Sequence, residues 1–169
     1  SDYPRVGCGP LKEAIADYEY TKKEYLICGN GAADLIFSLS RALNPKKALL
    51  PAPTFAEYEQ ALVSVGCEIS RYYLKEENDF CIQKDYPDVL KREKPDIIFL
   101  CNPNNPTGII IPQDLLEEIL ETCAMQGIFM VVDECFLDFV KDPEKHTLKG
   151  KLEKYPGLFI LKAFTKRYA

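Results

Sequence analysis

The chain alternates short continuous apolar runs with stretches in which apolar residues recur every third or fourth position. Residues 10–20, PLKEAIADYEY, place Leu11, Ile15 and Tyr18 on one helical face behind a proline suited to a first turn. A short strand, Tyr25 to Cys28, leads through Gly29-Asn30-Gly31 into AADLIFSLSRAL (32–43). There Leu35, Ile36, Leu39 and Leu43 form the apolar face of a helix that Asn44-Pro45 closes. The unit then repeats, with a strand over 48–51, a helix over 55–66 ending at Gly66, a strand over 68–74 and a helix over 85–94. DIIFLC (96–101) and FMVVDE (129–134) are apolar almost throughout, the pattern of strands covered on both faces. A helix over 112–126 separates them, and LFILKAF (158–164) is the last predicted strand. This alternation predicts an α/β fold, a three-layer α/β/α arrangement with a mostly parallel central sheet. No linker, compositional break or fixed-period repeat divides the 169 residues, so a single domain is expected.

Composition narrows what such a domain does. Asp and Glu number 26 against 21 Lys and Arg, a net charge of −5, and no basic block is present, so nucleic acid is not an expected partner. The single histidine excludes His-rich zinc sites, two-His iron sites and HExxH chemistry, and no metal is expected. His146 stands in the polar stretch DPEKHTLKGK and is expected at the surface. The seven cysteines are scattered without CxxC spacing, several inside apolar runs, which reads as reduced thiols in a cytoplasmic protein. No run approaches the roughly twenty apolar residues of a membrane span, and the opening SDYPRVGCGP does not read as a signal peptide.

In parallel sheets the ligand crevice lies beyond the carboxyl ends of the strands, so chemistry is sought in the residues that follow each one. After the first strand, GNGAAD is a glycine-rich turn feeding a helix, whose unpaired N–H groups suit a phosphate. Asp34 stands where a dinucleotide fingerprint needs Gly or Ala, which disfavours a dinucleotide; taken alone, the motif reads as an ordinary strand-to-helix turn. After the second strand, Pro53-Thr54-Phe55 offers an aromatic that either stacks on a flat heterocycle or simply packs. After DIIFLC, the loop NPNNPTG (102–108) carries two prolines and a terminal glycine that fix its backbone and hold its asparagines. After FMVV come Asp133 and Glu134; a carboxylate ending a buried strand needs a cation or donors, so each is a cap, a buried ion pair or a functional acid. After the last strand comes Phe164-Thr165-Lys166, where a lysine is either solvated or, desolvated at the crevice, a nucleophile toward an aldehyde.

In this order GNGAAD, PTF, NPNNPTG, VVDE and TK resemble the fold-type I pyridoxal-phosphate enzymes, the class I/II aminotransferase family, over essentially the whole chain. Within that family the sequence is most similar to the threonine-phosphate decarboxylase and histidinol-phosphate aminotransferase branches. The resemblance implies pyridoxal 5'-phosphate as cofactor, a small-molecule amino acid or amino-acid phosphate as substrate, and a homodimer. It makes Lys166 the lysine whose amine condenses with the cofactor aldehyde and later moves the substrate's α-proton, and Asp133 the partner of the pyridine nitrogen. Asn105 becomes the donor to the ring's 3-oxygen and Phe55 the aromatic on the ring face. Gly31, Ala32 and Ala33 form the phosphate cradle with the Thr165 hydroxyl, and Tyr3 reaches the phosphate in a neighbouring subunit.

Two departures stand out. Phe136 occupies the place of a tyrosine common in the aminotransferases and looks more like the decarboxylase branch, and Ala163 replaces a frequent phosphate-binding hydroxyl. Family members also extend beyond the lysine into a small domain and begin with an N-terminal arm. By that comparison residues 1–169 are the large, cofactor-binding domain, expected to be inactive in isolation. The alternatives are a histidinol-phosphate-type aminotransferase and a non-catalytic module that keeps the fold.

Overall fold

The computed structural model describes residues 26–27 and 32–162. Six strands form one sheet: β1 (Leu26–Ile27), β2 (Lys47–Ala52), β3 (Glu68–Tyr73), β4 (Ile97–Cys101), β5 (Phe129–Asp133) and β6 (Leu158–Leu161). Their order across the sheet is β1-β6-β5-β4-β2-β3, and every pairing is parallel. Four helices connect them: α1 (Ala32–Leu43), α2 (Ala56–Ser64), α3 (Tyr86–Glu93) and α4 (Gln113–Gln126). The predicted helix over 10–20 lies outside the described residues.

The continuous apolar runs become the central strands because both sheet faces are covered. Side chains alternate across a strand, so Ile97, Phe99 and Cys101 of β4 join Val131 and Leu161 in one core with Leu35, Ile36 and Leu39 of α1 and Tyr58 and Leu62 of α2. Ile98 and Leu100 face the other way and pack with Met130, Val132 and Ile160 against Leu90 of α3 and Leu116, Ile119 and Leu120 of α4. The two cores and the sheet between them make the predicted three layers. β3, at the edge, is buried at none of its six positions. Pro51 fits inside β2 because the β2–β4 pairing covers only Ala48 and Leu49; beyond it no ladder bond toward β4 requires a proline N–H.

Helix ends follow the chain's punctuation. Gly127 closes α4 with φ +70, its N–H bonded to the Cys123 carbonyl, and Asn44 beyond α1 takes φ +44 and donates to the Ser40 carbonyl at 2.9 Å. The expected strand over 129–134 stops at Asp133, and the helix over 55–66 shortens to Ala56–Ser64. The chain from 134 to 157 also contains three single 3-10 turns, 137–139, 143–145 and 149–151, each too short to leave a hydrophobic period in the sequence. His146, expected at the surface, sits at the end of the second of these and is half-buried, with its Nδ1 enclosed. Cys67, Cys81, Cys101, Cys123 and Cys135 are free thiols. No described helix is long and apolar enough to cross a membrane.

Candidate functional site

Because all strands run one way, the segments after β2, β4 and β5 leave the same edge of the sheet. Asp133 ends β5 level with Cys101 of β4 and Leu161 of β6, and is only 4% exposed. Two uncharged donors hold it: the Tyr58 hydroxyl donates to Oδ2 at 2.7 Å and the Cys135 N–H to Oδ1 at 3.0 Å. An ionised carboxylate offers about four acceptor sites, so acceptor capacity remains on each oxygen. Among the described residues, no cation pairs with Asp133.

Glu134 has a different task. Strand alternation sends it to the opposite face, where it is 1% exposed and accepts from the Thr147 hydroxyl at 2.7 Å and the Leu148 N–H at 2.9 Å. The Lys162 ammonium, itself only 14% exposed, lies 3.6 Å away. Burial pushes the Glu134 carboxyl above the usual value, and Lys162, Thr147 and Leu148 pull it back only in part. Of the two acids that end the run FMVVDE, Glu134 anchors the segment 147–148 and Asp133 lies on the opposite face against Tyr58.

The loop after β4 is stiffened by hydrogen bonds as well as by its prolines. Asn102 is fully buried; its N–H donates to the Asp133 carbonyl at 3.0 Å and its Oδ1 accepts from the Ile111 N–H at 2.9 Å. Asn104 ties this loop to the one after β2: its Oδ1 accepts from the Thr54 hydroxyl at 2.8 Å, and its Nδ2 donates to the Pro53 carbonyl at 3.1 Å and the Thr107 hydroxyl at 3.0 Å. Gly108, at φ +74, lets the chain turn so that the Asn104 N–H reaches the Ile109 carbonyl at 2.9 Å. Asn105 is half-buried, and its side chain makes no hydrogen bond to another described residue. Two asparagines therefore build the loop, and the side chain of the third is not used in it. Asn104→Ala removes three bonds at once and is expected to lower stability by about 1–3 kcal/mol, measured by urea unfolding; an unchanged midpoint would show that the two loops are not tied through this side chain.

Phe55 stands at the N-cap of α2, half-buried, its ring edge-on to Tyr58 at 5.5 Å and 82°. Tyr58 itself, fully buried, stacks on Phe99 of β4 at 5.0 Å and 24°. Burial, and next the Asp133 charge, hold its hydroxyl well above the ordinary pKa, so it remains a donor. The sequence analysis does not single out Tyr58, which falls inside the helix predicted over 55–66. The available signal was the hydroxyl: a tyrosine facing a core needs an acceptor, and Asp133 and Glu134 were the two acids ending a buried strand.

Ala32 and Ala33 open α1, with Asp34 in its first turn favourably placed against the helix dipole. Gly31, Tyr3, Thr165 and Lys166 lie outside the described residues, as does Ala163. Phe136 follows β5, 39% exposed, with its ring 6.4 Å from that of Phe139. A cavity of about 730 Å³ borders Phe55 but opens between α2 and β3, lined by Gln60, Val63 and Arg71, and does not include Asp133. Asp133 and the loop 102–108 lie instead at the carboxyl edge of the sheet.

Residues 3–169 match the model of the family described as aminotransferase class I and II. The chain is 34% identical over 167 residues to a threonine-phosphate decarboxylase of Salmonella typhimurium, covering 99% of this chain and 45% of that protein. It is 30% identical over 162 residues to an L-serine phosphate decarboxylase of Sulfurospirillum multivorans, covering 94% and 41% respectively. The crystal structure of the histidinol-phosphate aminotransferase from Clostridium acetobutylicum superposes with a TM-score of 0.81 at 30% identity, over 99% of this chain and 48% of that one. The chain thus spans about half the length of the relatives it matches.

Proposed function

The chain belongs to the class I and II aminotransferase family, and from that premise we propose that residues 1–169 form the cofactor-binding large domain of a pyridoxal 5'-phosphate enzyme that decarboxylates a phosphorylated amino acid, threonine phosphate foremost. The observation that carries this reading is Asp133, a carboxylate sealed at the carboxyl end of a central strand and held by two neutral donors. Such a group fits a protonated pyridine nitrogen: the buried charge gains the cation it lacks among the described residues, and acceptor capacity is free on both oxygens. Pyridoxal phosphate, once bound, supplies an electron sink for the bond broken at the substrate's α-carbon.

The chain's own residues then divide the work. Asp133 would keep the ring nitrogen protonated and so maintain its electron demand. Phe55 would cover one face of the ring and exclude water from it. Asn105, whose amide is not used in building its loop, would donate to the 3-oxygen. Gly31, Ala32 and Ala33 at the start of α1, with Thr165, would bind the phosphate through N–H and O–H donors, and Lys166 would carry the covalent attachment and the proton. Tyr3 would contribute across the interface of a homodimer. The five free thiols among the described residues support a reducing, cytoplasmic setting.

Decarboxylation is favoured by the names of two relatives, both decarboxylases of phosphorylated hydroxy-amino acids, and by Phe136. The second reading, amino transfer on a phosphorylated amine, is favoured by the superposition on the histidinol-phosphate aminotransferase. All three named relatives carry a phosphate in the substrate their names state, so a phosphomonoester of an amino alcohol or hydroxy-amino acid is the common substrate class.

The test is to load the full-length protein with pyridoxal phosphate, reduce it with borohydride and map the modified peptide. Label at Lys166 is expected; a folded protein that takes no label would instead be a module that keeps the fold without the chemistry. Threonine phosphate is then offered, and carbon dioxide release is measured against keto-acid formation.

A further inference from the structure

We propose that a row of polar side chains on the far face of the sheet from Asp133 encloses one ordered water, which belongs to the fold and ties the NPNNPTG loop to the Glu134 anchor. The inference is independent of the pyridoxal phosphate reading above. The row follows from the register of the sheet. Cys101, Asp133 and Leu161 are level on β4, β5 and β6. The ladder runs one step further, with the Asn102 N–H on the Asp133 carbonyl at 3.0 Å and the Glu134 N–H on the Leu161 carbonyl at 3.1 Å. Asn102, Glu134 and Lys162 therefore stand side by side where three neighbouring strands leave the sheet. Ile111, whose N–H donates to the Asn102 side chain, and Leu148, whose N–H donates to that of Glu134, both belong to the core under α3 and α4, which puts the row on that face.

Hydrogen bonds close the row into a circuit. Asn102 Oδ1 accepts from the Ile111 N–H at 2.9 Å, and two residues beyond Ile111 the Gln113 Nε2 donates to the Thr147 carbonyl at 3.4 Å. The Thr147 hydroxyl then donates to Glu134 at 2.7 Å, and Glu134 stands next to Asn102 in the row. Among the described residues, four buried side-chain polar atoms have no partner, and three of them lie on this circuit: Asn102 Nδ2, Gln113 Oε1 and, beside Thr147, His146 Nδ1. Asn102 is fully buried, and turning its amide over would set an NH2 against the Ile111 N–H, so Nδ2 stays a donor in need of an acceptor. The circuit thus offers one donor, one acceptor and one imidazole nitrogen that serves as either. A single water meets all three, accepting from Nδ2 and donating to Oε1, and about three bonds is the usual complement of a buried water. An ion fits less well. The Lys162 ammonium already faces Glu134 at 3.6 Å, an N–H donor repels a cation, and the Glu134 carboxylate repels an anion.

A crystal structure of the full-length protein, at a resolution that shows ordered solvent, is expected to place one water within about 3.2 Å of both Asn102 Nδ2 and Gln113 Oε1. In solution, Gln113→Met keeps the length of the side chain and removes both of its polar atoms. That variant should lose one long-lived water from the oxygen-17 relaxation dispersion of the wild type. Amide exchange at Ile111 and Leu148 should quicken together in it, by about three- to tenfold, because the water holds the two segments to each other. The wild-type crystal structure decides the matter if Gln113→Met does not fold. A direct bond from Asn102 or His146 to Gln113 with no water between them, or an unchanged number of long-lived waters in Gln113→Met, overturns the proposal. Loss of the water with no change in exchange at Ile111 and Leu148 overturns the tie between loop and anchor.

Discussion

On the proposed function, Asp133→Asn in the full-length, cofactor-loaded protein should lower turnover of the proposed substrate, threonine phosphate, by roughly a hundred- to a thousandfold, the loss typical of removing one preorganised electrostatic group from a dry site. The same substitution should leave the fold nearly untouched. Asparagine keeps the shape, and its single carbonyl oxygen can still accept from the Cys135 N–H or the Tyr58 hydroxyl but not from both. Stability should therefore change by only about 1 kcal/mol, partly offset because a buried charge has gone. What is lost is the negative charge that would keep a pyridine nitrogen protonated. The measurement is kcat alongside a urea melt of the same sample. Turnover within tenfold of wild type would remove Asp133 from the proposed role, and a collapse of stability without a kinetic defect would reassign it to the core.

The layers of the fold were legible because both covers of the sheet leave marks in the chain. IIFLC and FMVV have the length and the unbroken apolar character of strands shielded on both sides, and α1 shows its buried face as Leu35, Ile36 and Leu39. The strand order was not legible, since parallel strands are joined by crossovers and nothing in the spacing of β2, β3 and β4 says that β2 lies between the other two. In the site, the positions after the strands are singled out by rule, and the resemblance assigns them expected roles. Only the resemblance, and not the residues themselves, distinguishes Asn105 from the other asparagines of NPNNPTG. The distinction depends on Thr54, some fifty residues away, taking Asn104, and on Ile111 taking Asn102. Tyr58 was hidden for a related reason: its hydroxyl belongs to the site and its ring to the core, and a hydrophobic period registers only the ring.

Glu134→Ala should be the most damaging single change outside the crevice, costing about 3–5 kcal/mol, a large share of the roughly 5–15 kcal/mol that holds such a domain folded. The loss has one cause with three parts. Lys162 is left as a mostly buried ammonium without its carboxylate, and the Thr147 hydroxyl and Leu148 N–H lose their acceptor. The segment 147–148 and the exit of β6 would loosen together, because the Glu134 side chain bridges them and its N–H also donates to the Leu161 carbonyl at 3.1 Å. Glu134→Gln separates charge from shape. It should cost less, and it should change how stability varies with pH. Burial holds the folded carboxyl above its ordinary value of 4.5, so between that value and the raised one the native state keeps a proton that the unfolded state has released. Stability from this group is full below the window and falls as pH rises through it. Glutamine has no proton to release, so the wild type should lose stability relative to Glu134→Gln over that window, read as the difference between their unfolding free energies in urea at a series of pH values. A constant difference would mean that Lys162 compensates the buried carboxylate fully. Asp133 and Glu134, adjacent in sequence and sent to opposite faces by the alternation of one strand, should then respond in opposite ways: the first in chemistry with little change in stability, the second in stability.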